Sequence, residues 1–291
     1  RKYNRAKEYY ALAEDNDAFD VDFSIHQQSI CYGLINKSSK KRDALTKLIK
    51  EFPNSIYHDD AILSLSSIYL NEGNIDKSVE LLNDLIENHP NSPLVKVALL
   101  NIGLNYYNDE KNELAISNFK KVIEEYPNSS EAKEALIVFK NMSVEQGDVS
   151  SYFNYIDGLS DVSVDIASKD SLSYEASENL YLNQKYDKAF RAFSNYLNNY
   201  KSPIFKLKAH YYKAECLYLT SPENSIDDYL MVLEFPQNDF TEQSLIRLSR
   251  IEFERKEYGT AALHYNKLLT VAQDNNLIRE STLKLFKCYS K

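Results

Sequence analysis

Apolar residues recur three and four positions apart through most of the 291-residue chain. Ile62, Leu65, Ile68 and Tyr69 form one such stripe, and Val79, Leu82, Leu85 and Ile86 the next; each marks one face of a helix. Two kinds of break alternate between the stripes. The first is a proline phrase: Phe52-Pro53-Asn54-Ser55, His89-Pro90-Asn91-Ser92, Tyr126-Pro127-Asn128-Ser129, Tyr200-Lys201-Ser202-Pro203 and Phe235-Pro236-Gln237. Pro53, Pro90 and Pro127 stand 37 residues apart, Tyr126 and Tyr200 twice that, and the last phrase follows after 35. Proline lacks the N–H that would continue a helix and turns the preceding residue away from helical geometry. The Asn or Ser after it is expected to cap the next helix, and Ser92-Pro93 and Ser202-Pro203 read as a capping serine with proline at the first helical position. The second kind of break falls mid-period, at Glu72-Gly73-Asn74, Asn108 to Asn112, Gln146-Gly147-Asp148 and Gln184 to Asp187.

A fixed period of this length is the signature of stacked supersecondary units. It predicts an all-α chain of antiparallel helix pairs at 19–52, 56–88, 93–125, 130–158, 170–200, 203–235 and 239–273, within one solenoid fragment over 1–291. Residues 1–14 and 277–290 read as unpaired flanking helices. The fourth unit is degenerate: its second helix, around Val149 to Asp157, is short, and Gly158 to Asp170 is polar and β-branched. An irregular link, with a bend or a break between two sub-solenoids, is expected at 158–170.

At this point the chain resembles the tetratricopeptide repeats. The third unit carries their small-and-aromatic pattern as Leu99, Ile102, Gly103, Tyr106, Ala115, Phe119 and Pro127; Ala189 with Phe193 and Ala261 with Tyr265 repeat it. The resemblance implies a right-handed superhelical solenoid whose first helices line a concave surface that holds a peptide or a partner protein. Carried over unit by unit, the lining positions are Leu63, Ser67 and Leu70; Leu100, Leu104 and Tyr107; Tyr174, Glu178 and Tyr181; Tyr211, Glu215 and Tyr218; and Ile246, Arg250 and Phe253. The Lys/Asn pattern that clamps a C-terminal carboxylate in chaperone-binding members is absent from them. The 37-residue spacing with Phe-Pro-Asn-Ser is similar to repeat domains of bacterial envelope proteins, of the outer-membrane assembly and Tol–Pal-associated types. Asp170 to Ala176 and Ala209 to Cys216 resemble long repeat proteins of Bacteroidetes-type bacteria. These likenesses imply a periplasmic or envelope setting.

Composition narrows the partners. With 34 Lys+Arg against 43 Asp+Glu the formal net charge is −9, a poor match for nucleic acid or for anionic membrane surfaces. The basic run Lys37-Ser38-Ser39-Lys40-Lys41-Arg42 reads as a solvated turn. No stretch is apolar enough to cross a bilayer. The chain opens at Arg1 without a methionine and reads as an excised fragment, so a targeting segment or lipid anchor could precede it. Only 6 glycines and no tryptophan accompany 23 tyrosines. Those rings either pack hairpins together or are displayed for recognition. Tyr174 and Tyr181, and Tyr211 and Tyr218, each two helical turns apart, are the rings expected on a recognition surface.

No motif for catalysis or for a cofactor is present: no H-E-x-x-H, G-x-S-x-G, P-loop or G-x-G-x-x-G. The histidines at 26, 58, 89, 210 and 264 are isolated in sequence, and His89 stands in for the aromatic of a closing phrase. Cys31, Cys216 and Cys288 are far apart, which argues against a disulfide framework or zinc site. The expectation is therefore no enzyme, no cofactor and no metal. The leading function is a protein-binding scaffold or assembly factor; the alternatives are the substrate-recruiting region of a larger enzyme and a self-associating solenoid.

Overall fold

The structure, a computed structural model, describes residues 2–15, 20–160 and 162–291, and it is helical without strands among them. Arg1, Phe19 at the start of the first expected pair, and Asp161 in the expected link lie outside the described residues. Two compact units share the chain, residues 1–139 and 140–291.

The first unit runs α1 (Lys2–Asp15), α2 (Val21–Leu34), α3 (Ser38–Glu51), α4 (His58–Asn71), α5 (Ile75–Asn88), α6 (Val95–Asn108), α7 (Asn112–Glu125) and the first part of α8 (Ser130–Gln146). Its core is serial. Ile25, Leu45, Leu48, Ala61, Leu65 and Ile68 join α2, α3 and α4; Ile62, Val79, Leu82, Leu85, Ala98 and Ile102 join α4, α5 and α6. Each helix thus buries one face against its predecessor and another against its successor, the arrangement of a repeat array.

The second unit holds the rest of α8, then α9 (Ser150–Ile156), α10 (Ile166–Leu182), α11 (Tyr186–Asn199), α12 (Lys206–Tyr218), a 3-10 turn (Pro222–Ser225), α13 (Ile226–Leu233), α14 (Thr241–Glu254), α15 (Tyr258–Val271) and α16 (Asn275–Tyr289). Its clusters follow the same rule, with Tyr174, Phe193, Tyr196 and Ala209 joining α10 to α12, and Leu245, Ala261, Tyr265 and Cys288 joining α14 to α16. No helix among the described residues is long and apolar enough to cross a membrane.

The turn inside each hairpin is built the same way. Asn36, Gly73, Glu110, Gly147, Gln184 and Lys256 all have positive φ, between 56° and 76°, and the first five recur every 37 residues. At Glu110 the N–H donates to Tyr107 O (3.0 Å) and the next N–H, of Lys111, donates to Tyr106 O (2.9 Å). This pair of bonds closes the carbonyl end of a helix by a Schellman turn.

Two expectations need correction. Helix α10 opens at Ile166, so 166–170 are helical and not part of the link. Asp165 makes this possible by accepting from the Ser168 N–H (2.9 Å) and hydroxyl (2.7 Å) as an N-cap. The helices after the proline phrases begin later than the prolines suggest: α4 at His58, α6 at Val95 and α12 at Lys206. Pro93 and Pro203 stand in a preceding turn, where the Ser92 hydroxyl accepts from the Leu94 N–H. The sixth pair has no positive-φ turn; Pro222 opens a 3-10 turn there and shortens α13.

Candidate interaction surface

The proline phrases and hairpin turns fix the register of each first helix. Every first helix of a pair then buries most of its circumference and leaves one stripe toward solvent. The stripe repeats at i, i+4, i+7 and i+11, which lie on one helical face. In the first unit it is Asp60, Ser64, Ser67 and Asn71 on α4, and Val97, Asn101, Leu104 and Asn108 on α6; all are exposed or half-buried. In the second unit the same phase holds Ser171, Glu175, Glu178 and Leu182 on α10, Lys208, Tyr212, Glu215 and Leu219 along α12, and Gln243, Arg247, Arg250 and Glu254 on α14; of these Glu215 is buried and the rest are exposed or half-buried. Leu182 is 66% exposed and Leu219 55%, although both are large aliphatics.

The lining positions expected from sequence share this stripe in one row only, that of Ser67, Leu104, Glu178, Glu215 and Arg250. The other two rows sit one helical position away and turn into the packing between hairpins. Leu100 and Tyr174 are buried, Tyr174 to 4% exposure. Leu63, Leu70, Tyr107, Tyr181, Tyr211, Tyr218, Ile246 and Phe253 are half-buried.

Of the tyrosines expected to be displayed, Tyr174 is buried and Tyr181, Tyr211 and Tyr218 are half-buried beside neighbouring rings. Tyr174 stacks on Phe205 with centroids 4.5 Å apart and donates its hydroxyl to Glu178 (2.7 Å). Tyr211 stacks on Phe240 at 4.3 Å. Tyr181 lies between Tyr186 and Tyr212 at 5.6 and 4.8 Å. Burial, with the negative Glu215 nearby, pushes the Tyr181 hydroxyl up to about 12 and raises that of Tyr211 as well. A substitution of Tyr181 or Tyr211 by alanine would remove contacts with the core clusters they pack against. The spacing held the clue: the residue just before the next first helix, Tyr57, Phe205 or Phe240, stacks on His26, Tyr174 or Tyr211 about one period earlier.

Glu215 is buried as well and is satisfied internally. It accepts from the Tyr229 hydroxyl (2.5 Å) and from Nε and Nη2 of Arg247 (both 3.2 Å). The Arg247 guanidinium covers the Tyr218 ring at 3.9 Å. A carboxylate so partnered fixes α12, α13 and α14 together and is not available to a ligand. Arg250 pairs with Glu280 at 3.0 Å on the surface, and Lys284 lies 4.3 Å over the Phe253 ring.

Sequence spacing also hid three histidine–carboxylate pairings. His210 meets Asp228 at 2.7 Å and His264 meets Glu252 at 2.7 Å. His58 and His89, 31 residues apart, come together around Asp59, and this is the one group among the described residues whose geometry suits a metal ion. The hairpin of α4 and α5 returns the chain to its start and brings the two imidazoles side by side.

The comparisons follow the same period. A tetratricopeptide-repeat family model matches residues 24–55, 60–92 and 97–129. No curated protein matches the sequence. Among solved structures, a tetratricopeptide repeat protein from Parabacteroides merdae is 13% identical, over 91% of this chain and 98% of that one, with a TM-score of 0.42. The TPR2AB domain of yeast Sti1, solved in complex with pHSP90, is 15% identical over 92% and 98%, with a TM-score of 0.42. The C-terminal part of a repeat protein from Cytophaga hutchinsonii is 13% identical over 87% and 98%, with a TM-score of 0.38. The three matched tetratricopeptide repeats lie in the first unit, in register with the helix pairs α2–α3, α4–α5 and α6–α7.

Proposed function

We propose that this protein is a binding scaffold that receives an extended peptide or a partner protein on its first-helix stripes and does no chemistry of its own. One observation carries the reading: the exposed stripe keeps the same helical phase in α4, α6, α10, α12 and α14, while the opposite faces are spent on the core. Within each unit this gives parallel tracks at a regular spacing, a surface suited to an extended ligand. In the second unit the track carries exposed Leu182 and Leu219 one repeat apart, with Glu175, Glu178, Lys208 and Arg250 around them. Apolar anchors within a charged rim are the usual composition of a protein-binding patch.

Peptides selected from a random display library on the intact chain, followed by calorimetry, test the reading. Leu182→Arg combined with Leu219→Arg in the second unit, and Ser67→Arg with Leu104→Arg in the first, place bulk and charge on the tracks. Selected peptides should lose at least about tenfold in affinity to one of the pairs, about 1.4 kcal/mol, while the melting temperature stays near that of the parent. Affinity unchanged by both pairs would overturn it.

We also propose an envelope or periplasmic setting, as an assembly factor; it is supported by the resemblance of the 37-residue phrase to bacterial envelope repeat proteins. Recovery of the native protein in the spheroplast cytosol, and not in the osmotic-shock fraction or the membranes, would reject that setting.

A further inference from the structure

We propose that His58, Asp59 and His89 form a binding site for a divalent transition-metal ion of the zinc type. The three side chains meet where α4 begins and α5 ends. Nδ1 of His58 lies 3.4 Å from Asp59 Oδ1, and Nδ1 of His89 lies 3.3 Å from the same oxygen. One ligand atom from each residue falls within 4.8 Å of the other two.

The spacing around Asp59 leaves room for an ion. The two other histidine–carboxylate pairs of the chain, His210 with Asp228 and His264 with Glu252, close to 2.7 Å. That is the length of a charge-assisted hydrogen bond. The contacts at Asp59 are longer by more than half an ångström. They equal the edge of a tetrahedron around zinc, about 3.3 Å for metal–ligand distances of 2.0–2.1 Å. The His58 and His89 ligand atoms lie within 4.8 Å of one another, and closing that edge calls for movement of the His89 ring, which is only partly buried.

Packing does not account for the residue types. His89 occupies the place held by Phe52 and Tyr126 in the neighbouring phrases, and the next repeat has Val95 and Lys96 where this one has His58 and Asp59. The imidazole centroids lie 4.7 Å apart with the planes tilted by 30°, a contact that a phenyl ring makes equally well. The local field also suits a cation. His89 caps the carbonyl end of α5, whose dipole is negative there, and Asp59 and Asp60 in the first turn of α4 offset the positive end of that helix.

Two neutral imidazoles and one carboxylate leave a fourth position for water, the three-ligand pattern of an open zinc site. Coordination through Nδ1 requires each ring to be neutral with its proton on Nε2. The ion ties the first turn of α4 to the end of α5, so it binds the folded chain and not the unfolded one.

The test uses untagged protein stripped of metal with a chelator. Zn2+ is titrated by calorimetry, and Co2+ is followed by the visible absorption of tetrahedral cobalt. The parent chain should bind one equivalent of each and melt at a higher temperature with Zn2+. His89→Phe, which installs the residue of the phrase at Phe52, and Asp59→Asn, which keeps the shape, should weaken Zn2+ at least about tenfold and abolish the melting shift. Should His89→Phe fail to fold, Asp59→Asn decides alone. The absence of tetrahedral cobalt absorption, or a Zn2+ affinity and melting shift that survive Asp59→Asn, would overturn the proposal.

Discussion

His26 shows how a single side chain can carry a pH dependence into a repeat. Its ring lies flat on Tyr57, with centroids 4.7 Å apart, and its buried Nδ1 has no hydrogen-bond partner. Burial lowers its pKa below the ordinary value of 6.5, an effect partly offset by the Asp60 carboxylate. The unfolded chain therefore takes up the proton first as pH falls. The stability gained by keeping the ring neutral is full above about pH 7 and is lost as pH falls through 6.5 toward the lower, folded value. His26→Phe keeps the stack and removes both the proton uptake and the unpaired nitrogen. Urea midpoints at about pH 7.5 and about pH 5 should show the parent losing ground to the variant at the lower pH. An equal gap at both values would refute the assignment. The partner stands 31 positions away, just before the next first helix, as Phe205 does for Tyr174.

At the scale of the helix pair, the hairpin turn explains what was legible and what was not. Gly73 and Gly147 announce a left-handed turn by their residue type; Glu110, Gln184 and Lys256 adopt the same conformation without glycine and were visible only as polar breaks in the stripe. The period was readable because Pro53, Pro90 and Pro127 repeat it, and Gly103 against Phe119 was readable as a small-against-aromatic contact: a Cβ on Gly103 would come within 2.5 Å of the ring. The lining rows were not readable to better than one position. Periodicity marks a helical face, but on a helix packed on both sides two neighbouring rows look alike, which is how Tyr174 and Tyr211 came to be placed on the surface. The shared turn makes opposite predictions for two of its members. A non-glycine residue in the left-handed region costs about 1–2 kcal/mol, and glycine returns part of that as unfolded-state entropy. Gln184→Gly should therefore stabilise the chain by about 0.5–1 kcal/mol. Gly147→Ala meets both the positive φ of 75° and the Leu180 side chain at 2.4 Å, and should destabilise by about 1–3 kcal/mol. Thermal or urea melts decide both, and a stabilising Gly147→Ala would contradict the turn geometry.

Across the whole molecule, stability is assembled from local clusters, so opening should be local too. The three free thiols report it at separate places: Cys31 on α2 in the first unit, Cys216 on α12 and Cys288 on α16 in the second. Burial raises all three pKa values, that of Cys216 to about 12 with help from the adjacent Glu215. Thiolate is the reactive form, so at neutral pH each thiol must first be uncovered. The cost of uncovering differs with the surroundings. Cys216 belongs to a cluster with Tyr174, Phe193 and Tyr196 drawn from three helices. Cys288 lies on α16, which packs on α15 and turns Leu283, Phe286 and Tyr289 to solvent. In a repeat array a helix with fewer packed neighbours opens at lower free energy. With an aromatic disulfide reagent, the chain in urea should react at all three thiols at once, and the native chain far more slowly. Peptide mapping of the native reaction over time should find Cys288 labelled first and Cys216 last. Uniform labelling of all three at one rate would mean that the thiols become accessible only by global unfolding, and the local account of stability would fail.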